Sequence, residues 1–374
     1  MKKFTLIAAA LFALTASAQL SSVNRAVLGQ GYAETTATAK SNVNLNDAGP
    51  ADIAGTYVYG AIDGENCNSS RAITITKGDA DGAYTVAGFF GFNPAIAVNA
   101  TYNAATGELT IAAGQNIYNS TYGATTLCLM PTVAQYNKTS AIVFTFDADG
   151  NAELNGAGLI AMLFEYGQSP SGGYYNLNSP IFNVALFPAN GTITNTIVDN
   201  NFTPTKTTEY PTATLIDGDY GLVVGLDGMT WESFTISDNA VTFDLDDLYN
   251  YDDNYANAIM TAAGKTTEGK WGYTTQAVTG TIDKEEGTIV LNMWQFILKS
   301  LSASGYAILN GNKAESVITF PAEDPQTGIS DVKVGNTVPA LDYSKPVFNL
   351  AGQQVTIDES SRGFFIQNGH KYVK

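Results

Sequence analysis

The sequence predicts an all-β protein with two tandem antiparallel β-sandwich or β-barrel domains and a small C-terminal β-hairpin module. Apolar residues alternate with polar ones in short segments such as "ELTIAAG" and "TIVLNM", which is the period of a half-buried strand. Asp-Gly and Asn-Gly dipeptides, for example Asp81-Gly82, Asp227-Gly228 and Asn310-Gly311, separate these segments. They supply the positive φ angles that tight hairpins require. The body of the chain also repeats itself.

The repeat consists of segments that recur in the same order. The matched segments are Ile53–Tyr59 with Ile216–Leu222, Ile73–Thr76 with Phe234–Ser237, Ala83–Val86 with Ala240–Phe243, Ala100–Gln115 with Gly280–Gln295, and two strands that end at Phe146 and Phe320. Self-similarity at this spacing indicates duplicated units. The alternative is chance similarity between β sequences of like composition.

The first 18 residues are typical of a secretory signal peptide, with two lysines, an apolar run, and small residues before Gln19. A buried N-terminal helix is the alternative. The order predicts export through the inner membrane to the cell surface or the medium. Residues 19–50 are polar and read as a flexible leader or a loose first strand.

The domain boundaries follow from the repeat. Residues 51–203 form the first β domain, and residues 204–212, rich in threonine and proline, form a linker. Residues 213–321 form the second domain, a repeat of the first. Within it, the segment from Asp252 to Gly264 has an Asp at its start and a Gly at its end, which predicts one helix.

The two cysteines, Cys67 and Cys128, are an even number in a chain expected to be exported. A disulfide between them is therefore predicted, with two buried thiols as the alternative. The formal net charge of −17 repels phosphate backbones and anionic lipid headgroups, so we expect no nucleic-acid partner. After the leader no apolar run is long enough for a transmembrane helix.

Residues 322–344 read as a second linker, and residues 345–374 as a separate tail. "PVFNLAGQQV" and "GFFIQNGHKYVK" resemble the C-terminal sorting domain of proteins that Bacteroidetes export by type IX secretion. The resemblance is carried by Asn349, Leu350, Gly352, Gln353, Gly363, Asn368, Gly369 and Lys371. It implies a small β module that the export machinery reads as a partner and often removes. The alternative is an ordinary last hairpin of the second domain.

The sequence gives little support for a catalytic function. The one histidine, His370, lies in the tail, which leaves the body without a hydrolytic triad or a two-histidine zinc site. Glu153, Glu165 and Glu232 keep a carboxylate-dependent glycosidase open as an alternative. The acidic stretches "DADGN" and "DLDDLYNYDD" favour turns, capping and solvation over calcium. We therefore expect no catalytic residue, metal or cofactor.

Aromatic residues make up 11% of the chain, and several lie in glycine-rich, asparagine-rich or acidic stretches. Such rings can stack on sugars while neighbouring polar groups bond hydroxyls; the alternative is that they fill cores. The candidate ligand-binding residues are Tyr174, Tyr175, Trp231, Tyr249, Tyr251, Tyr255 and Trp271.

These observations favour an exported, non-catalytic β protein that serves adhesion or binds glycan or another extracellular ligand. A second class stays open. "GTY" at Gly55 and "GDY" at Gly218 resemble the opening of calycin-type barrels, which implies a carrier of a small lipophilic ligand. An apolar cavity inside each repeat would favour the carrier, whereas a shallow face with several aromatic rings would favour glycan binding.

Overall fold

The computed structural model describes residues 33–34, 49–63, 68–168, 172–243, 247–252, 255–300 and 306–322, together with short strands of the tail. Two compact units are present, residues 1–322 and residues 323–374. The predicted signal peptide lies outside the described residues. Within the described part of the chain, no helix has the length and apolar character needed to cross a membrane.

Among the described residues, fourteen strands form the first half of the larger unit. In chain order they are β1 (Ala33–Glu34), β2 (Gly55–Asp63), β3 (Asn68–Lys77), β4 (Ala83–Ala87), β5 (Val98–Asn103), β6 (Glu108–Ile111), β7 (Asn116–Ser120), β8 (Gly123–Thr132), β9 (Gln135–Asn137), β10 (Ile142–Phe146), β11 (Ala152–Leu154), β12 (Gly158–Gln168), β13 (Tyr174–Asn176) and β14 (Ile181–Pro188). A short 3-10 helix spans Phe89–Gly91.

Eight of these strands close into an antiparallel barrel in the order β2-β3-β4-β5-β6-β10-β11-β14, because β14 pairs again with β2. The other strands form an arm that continues from β14 through β12, β8, β9 and β1. In the arm, β7 pairs with β8 and β13 pairs with β12. The arm therefore extends beyond the closed ring.

In the described part of the second half there are twelve strands. They are β15 (Gly191–Val198), β16 (Pro204–Asp217), β17 (Tyr220–Leu226), β18 (Thr230–Ser237), β19 (Ala240–Phe243), β20 (Asp247–Asp252), β21 (Tyr255–Lys265), β22 (Trp271–Tyr273), β23 (Thr279–Asp283), β24 (Thr288–Leu291), β25 (Trp294–Ser300) and β26 (Tyr306–Thr319). Eight of them close a second antiparallel barrel, β15-β16-β17-β18-β19-β23-β24-β26, through the pair β15–β26. Strands β25, β21 and β20 extend it, with β22 on β21.

Strict alternation explains why these segments become barrel walls. In β5, Val98, Ala100 and Tyr102 are buried while the residues between them are exposed, and alternate residues of a strand face opposite sides of a sheet. The inward residues of the first barrel form one core, in which Tyr57 and Tyr102 both contact the ring of Phe146 edge-on. The second barrel has its own core. The prediction of two tandem β domains is confirmed, and the open choice between sandwich and barrel resolves to barrels.

The matched segments of the sequence repeat occupy corresponding places in the two rings. They fall on β2-β3-β4-β5-β6-β10 and on β17-β18-β19-β23-β24-β26, which pair in the same order. The remaining two places are filled by β11 and β14, late in the first barrel, but by β15 and β16, at the start of the second. Relative to the matched segments, the second ring is therefore a circular permutation of the first.

This permutation explains why the predicted linker is wrong. Residues 204–212 form part of β16 and pair with β15, and only residues 213–217 continue to β17. The second barrel thus begins at Gly191. Threonine is favoured in strands, and proline is tolerated at a strand's first residue or where one edge is unpaired, which suits Pro204 and Pro211.

Two further local predictions are corrected. The predicted helix from Asp252 to Gly264 falls mostly on β21, which pairs with β20 on one side and β25 on the other. Pairing on both edges overrides the weak local helix preference of its alanines. Asn310-Gly311 is not a hairpin turn but lies inside β26, where the register with β25 shifts and both residues have positive φ.

The barrels meet along β2 and β3 of the first and β16 to β18 of the second. The apolar part of this interface consists of Val58, Ile62, Ala185, Phe187, Ala213, Leu222, Val224 and Trp231. Hydrogen bonds frame it: the backbone N–H of Ser70 and the guanidinium of Arg71 both donate to the carbonyl of Met229 at 2.9 Å. The Trp231 indole donates to the Ala61 carbonyl at 2.9 Å.

In the smaller unit, β27 (Val347–Phe348), β28 (Gln354–Val355), β29 (Phe364–Gln367) and β30 (His370–Val373) form one sheet in the order β28-β27-β29-β30. Lys371 lies in β30. The other residues that carry the sorting-domain resemblance, Asn349, Leu350, Gly352, Gln353, Gly363, Asn368 and Gly369, lie outside the described residues, as do residues 323–344 of the predicted linker 322–344. The sorting role therefore stays a prediction.

Candidate functional site

Three tyrosine rings cluster on the arm of the first barrel, and we name Tyr122, Tyr166 and Tyr175 the tyrosine cluster. The ring of Tyr166 stands edge-on to Tyr122 at 5.1 Å and to Tyr175 at 5.2 Å between centroids. Tyr122 is 39% exposed and Tyr166 47%, while Tyr175 is half-buried. Each edge-to-face pair stabilises this arrangement by about 1 kcal/mol. The rings thus form a solvent-facing aromatic surface.

A rigid turn between β7 and β8 positions Tyr122. The Ser120 hydroxyl accepts the backbone N–H of Tyr122 at 3.0 Å and donates to the Gly123 carbonyl at 3.0 Å. Gly123 has a φ of 114°, a conformation open mainly to glycine. A Cβ at Gly123 would lie 2.8 Å from the Glu165 carboxylate, so a larger residue there would displace the Glu165 side chain.

Glu165 places a carboxylate beside the turn that carries Tyr122. Its Oε2 accepts the backbone N–H of Ala124 at 3.1 Å, which ties β12 to the start of β8. Among the described residues, no hydrogen bond reaches its Oε1. Glu165 is exposed, so this oxygen can accept hydrogen bonds from ligand hydroxyls. An aromatic surface with an adjacent acceptor is the combination that sugars use.

The two predicted tyrosines of β13 fall into different aromatic groups, since neighbours in a strand point to opposite faces. Tyr175 joins the tyrosine cluster. Tyr174 instead stands edge-on to Phe164 at 5.0 Å, and the Lys138 ammonium lies 5.1 Å from the Phe164 centroid and 5.6 Å from that of Tyr174. These contacts give the second group a cationic side chain over its rings.

The other predicted ligand-binding residues do not join these groups. Trp231 is 2% exposed at the interface between the barrels, and Trp271 is 5% exposed. The Trp271 indole donates to the Gln295 amide oxygen, and its ring contacts Phe202 at 5.2 Å. As surface binding residues these two predictions are wrong, because burial of large rings outweighs the polar character of their flanking sequence. The side chains of Tyr249, Tyr251 and Tyr255 lie outside the described part of the structure.

Tyr122 and Tyr166 were missed by sequence reasoning. They lie 44 positions apart, on separate strands, so nothing local links them. Each is followed by a glycine, Gly123 and Gly167, both with positive φ. A tyrosine before a turn glycine is a weak signal of exposure that could have singled them out.

A cavity of about 280 Å³ lies at one end of the first barrel. Its floor comes from the barrel core, through Tyr59, Phe90 and Ile181. The rest of the lining is mostly polar: Asp63, Ser69, Arg71, Leu177, Asn178 and Ser179. A lipophilic ligand would leave these polar groups without water. The lining does not match the apolar cavity expected of a carrier.

The Tyr residues of the two calycin-like openings also differ in environment. Tyr57 lies 5% exposed in the first core, whereas Tyr220 is 63% exposed.

The three candidate glycosidase carboxylates lie on different strands, β11, β12 and β18. Burial, and next to it the charge of Asp147, raises the pKa of Glu153. Asp147 itself accepts backbone N–H groups of Asp149 and Asn151 in the turn between β10 and β11. "DADGN" is thus a hairpin turn, and among the described residues no group of three His, Cys, Asp or Glu side chains is placed to hold a metal.

Cys128 is 1% exposed in a small apolar cluster with Met130 and Tyr136. Its predicted disulfide partner, Cys67, lies outside the described residues, so the disulfide stays a prediction.

No family model, no curated protein and no solved structure matches this chain.

Proposed function

We propose that this is an exported, non-catalytic binding protein whose tyrosine cluster binds neutral glycans outside the cell. The observation that carries the proposal is the set of three rings in which Tyr166 contacts both Tyr122 and Tyr175, on an arm outside the closed barrel, with Tyr122 and Tyr166 well exposed. Exposed aromatic patches of this kind on soluble proteins usually serve binding. Export rests on the leader sequence and on the resemblance of the tail.

The chemistry of the cluster supports a sugar rather than a charged polymer. Tyrosine faces stack on the apolar C–H faces of pyranose rings, and the Glu165 carboxylate accepts hydroxyl hydrogens. The chain carries a formal net charge of −17, and Glu165 places one of its negative charges beside the turn that carries Tyr122. Polyanionic glycans are therefore disfavoured, and neutral ones are favoured.

The filled barrel interiors support binding at the surface rather than inside. Tyr57, Phe144 and Phe146 occupy the first interior, and Trp294 and Phe296 the second, each at 5% exposure or less. A carrier of a lipophilic ligand would need such volume to be empty.

A glycan array probed with the purified full-length chain tests the proposal. Tyr166→Ala removes the ring shared by both pairs, and Tyr220→Ala is the matched control, because Tyr220 is 63% exposed on the second barrel. With about 1–2 kcal/mol lost, binding of neutral oligosaccharides weakens roughly 5- to 30-fold in Tyr166→Ala. The control binds as the unaltered chain does.

Two results would overturn the proposal. One is equal binding by Tyr166→Ala and the unaltered chain. The other is no glycan binding at all, together with a co-purified lipid detected by mass spectrometry, which would favour the carrier.

A further inference from the structure

Two opposite charges lie together inside the second barrel. The Lys313 ammonium is 2.9 Å from Oδ2 of Asp227, and the two side chains are 0% and 1% exposed. Lys313 comes from β26, and Asp227 from the turn between β17 and β18. Burying an ion pair costs several kcal/mol per ion, which the mutual attraction offsets only in part. The buried pair therefore lowers the stability of the fold through desolvation, and packing alone does not explain its presence.

The surroundings of Lys313 exclude water. Its Nζ lies 4.8 Å from the ring centroid of Trp294 and 5.2 Å from that of Phe296. Both rings are at most 1% exposed. This burial lowers the pKa of Lys313, although the Asp227 carboxylate opposes the shift. Burial therefore favours the uncharged amine, the form of Lys313 whose lone pair can act as a nucleophile.

Amide donors hold both oxygens of Asp227. Asn195 Nδ2 donates to Oδ1 at 3.0 Å, and Asn310 Nδ2 donates to Oδ2 at 2.9 Å. N–H groups fixed at both oxygens stabilise the negative charge that develops when a nucleophile attacks the carboxyl carbon. The arrangement therefore polarises Asp227 towards attack by the neighbouring nitrogen.

The orientation of Asn195 follows from a chain of donors. The Trp294 indole can only donate, and it donates to the Ser316 hydroxyl at 2.8 Å. The Ser316 hydroxyl then donates its own hydrogen to Asn195 Oδ1 at 2.6 Å. The NH₂ end of Asn195 must accordingly face Asp227.

Asp227 and Asn310 both have left-handed backbone conformations. Asp227 has a φ of 52° and Asn310 a φ of 57°, angles that Asp and Asn adopt more readily than other residues with a side chain. Asn310 and Gly311 form the irregularity of β26 just before Lys313.

We propose that Lys313 and Asp227 react inside the folded barrel to form an intramolecular amide bond. The Nζ lone pair attacks Cγ of Asp227, a C–N bond forms, and a C–O bond breaks. The departing oxygen leaves as one water, with two of the three hydrogens that the Lys313 ammonium carries in the ion pair. No oxidant, reductant or further reactant is needed.

Two physical terms favour the reaction. Fixing the amine and the acid in contact makes the step intramolecular, which is worth effective concentrations of about 10⁵–10⁸ M in well-oriented cases. Replacing two buried charges by a neutral amide also removes their desolvation cost. The bond would join β26 to the turn between β17 and β18, two parts of the ring that are distant in sequence. The inference is independent of the proposed glycan binding.

Mass spectrometry of the denatured full-length chain tests the inference. The folded and then denatured chain weighs less than its sequence mass by one water, and a tryptic digest yields a branched peptide that joins Asp227 to Lys313. Lys313→Arg has its full sequence mass, since the guanidinium cannot form this bond. Asp227→Asn loses one ammonia instead of one water.

The pair Lys77–Asp52 is an internal control, because its nitrogen and oxygen are also 2.9 Å apart but the side chains are 52% and 48% exposed. Solvation keeps this pair charged, and its peptides are expected to stay linear. The inference is overturned if the unaltered chain has its full mass with linear peptides from Asp227 and Lys313. That measurement needs no variant to fold.

Discussion

Trp231 couples the two barrels, and its replacement is expected to separate their unfolding. The side chain leaves β18, is 2% exposed, and packs into the interface cluster with Val58 and Phe187. Its indole N–H donates to Ala61 of the other barrel at 2.9 Å. Truncating a buried tryptophan to alanine costs about 3–5 kcal/mol. Because that loss falls on the interface, we expect it to exceed the interaction free energy that makes the two barrels unfold together.

Urea unfolding followed by circular dichroism measures this effect. Trp231→Ala is expected to unfold in two steps, or in one step with a free energy lower by about 3–5 kcal/mol. Trp231→Phe keeps most of the packing and loses the hydrogen bond, so about 1–2 kcal/mol is lost. Tyr220→Ala, at a site that is 63% exposed, serves as control. An unchanged transition in Trp231→Ala would refute the assignment of Trp231 to a coupling interface.

Two further predictions concern Asp52 in the first barrel and the closure of the second barrel. The hydrogen bond from Lys77, with those from Ala54 and Tyr84, lowers the pKa of Asp52 to about 2. The unaltered chain is therefore more stable than Asp52→Asn, and this advantage is fully present when the pH is above 3.8, the ordinary pKa of an aspartate. The advantage is lost as the pH falls through about 2. Acid unfolding of both chains measures this change. A Cβ at Gly191 would lie 1.8 Å from the Thr319 carbonyl across the closing pair β15–β26. Gly191→Ala should lower the unfolding free energy by about 1–3 kcal/mol. Gly264→Ala is the control and should not lower it, because a Cβ at Gly264 would have no atom within 4 Å. Equal effects of the two substitutions would contradict the closure of the barrel by the pair β15–β26.

Local patterns predicted the strands well because alternation and turn chemistry are local properties. The pairing order β2 to β6 followed by β10 agrees with the repeat read from the sequence. The positions of β15 and β16 in the second ring could not be predicted from the repeat. Ring closure is a pairing between strands distant in sequence, and matched segments carry no information about it. The threonine-rich segment 204–212 therefore resembled a linker until its partner β15 was known.

The chemistry of the interior was hidden for the same reason. Asp227 stands in an Asp-Gly pair and reads as a turn residue, which it is, but its carboxylate is also buried. Lys313 lies in the polar stretch "NGNKAES" and reads as surface. The tyrosine cluster likewise assembles from a turn and two strands. Only the tertiary pairing of β7, β8, β12 and β13 brings those rings together.

A crystal structure of the full-length chain with the neutral oligosaccharide that binds best on the array tests the central claim most directly. We expect a pyranose ring stacked on the tyrosine cluster, in contact with Tyr166 and with a hydroxyl bonded to Glu165. A saccharide bound elsewhere, for example in the cavity beside Arg71, with no contact to Tyr122, Tyr166 or Tyr175, would contradict it.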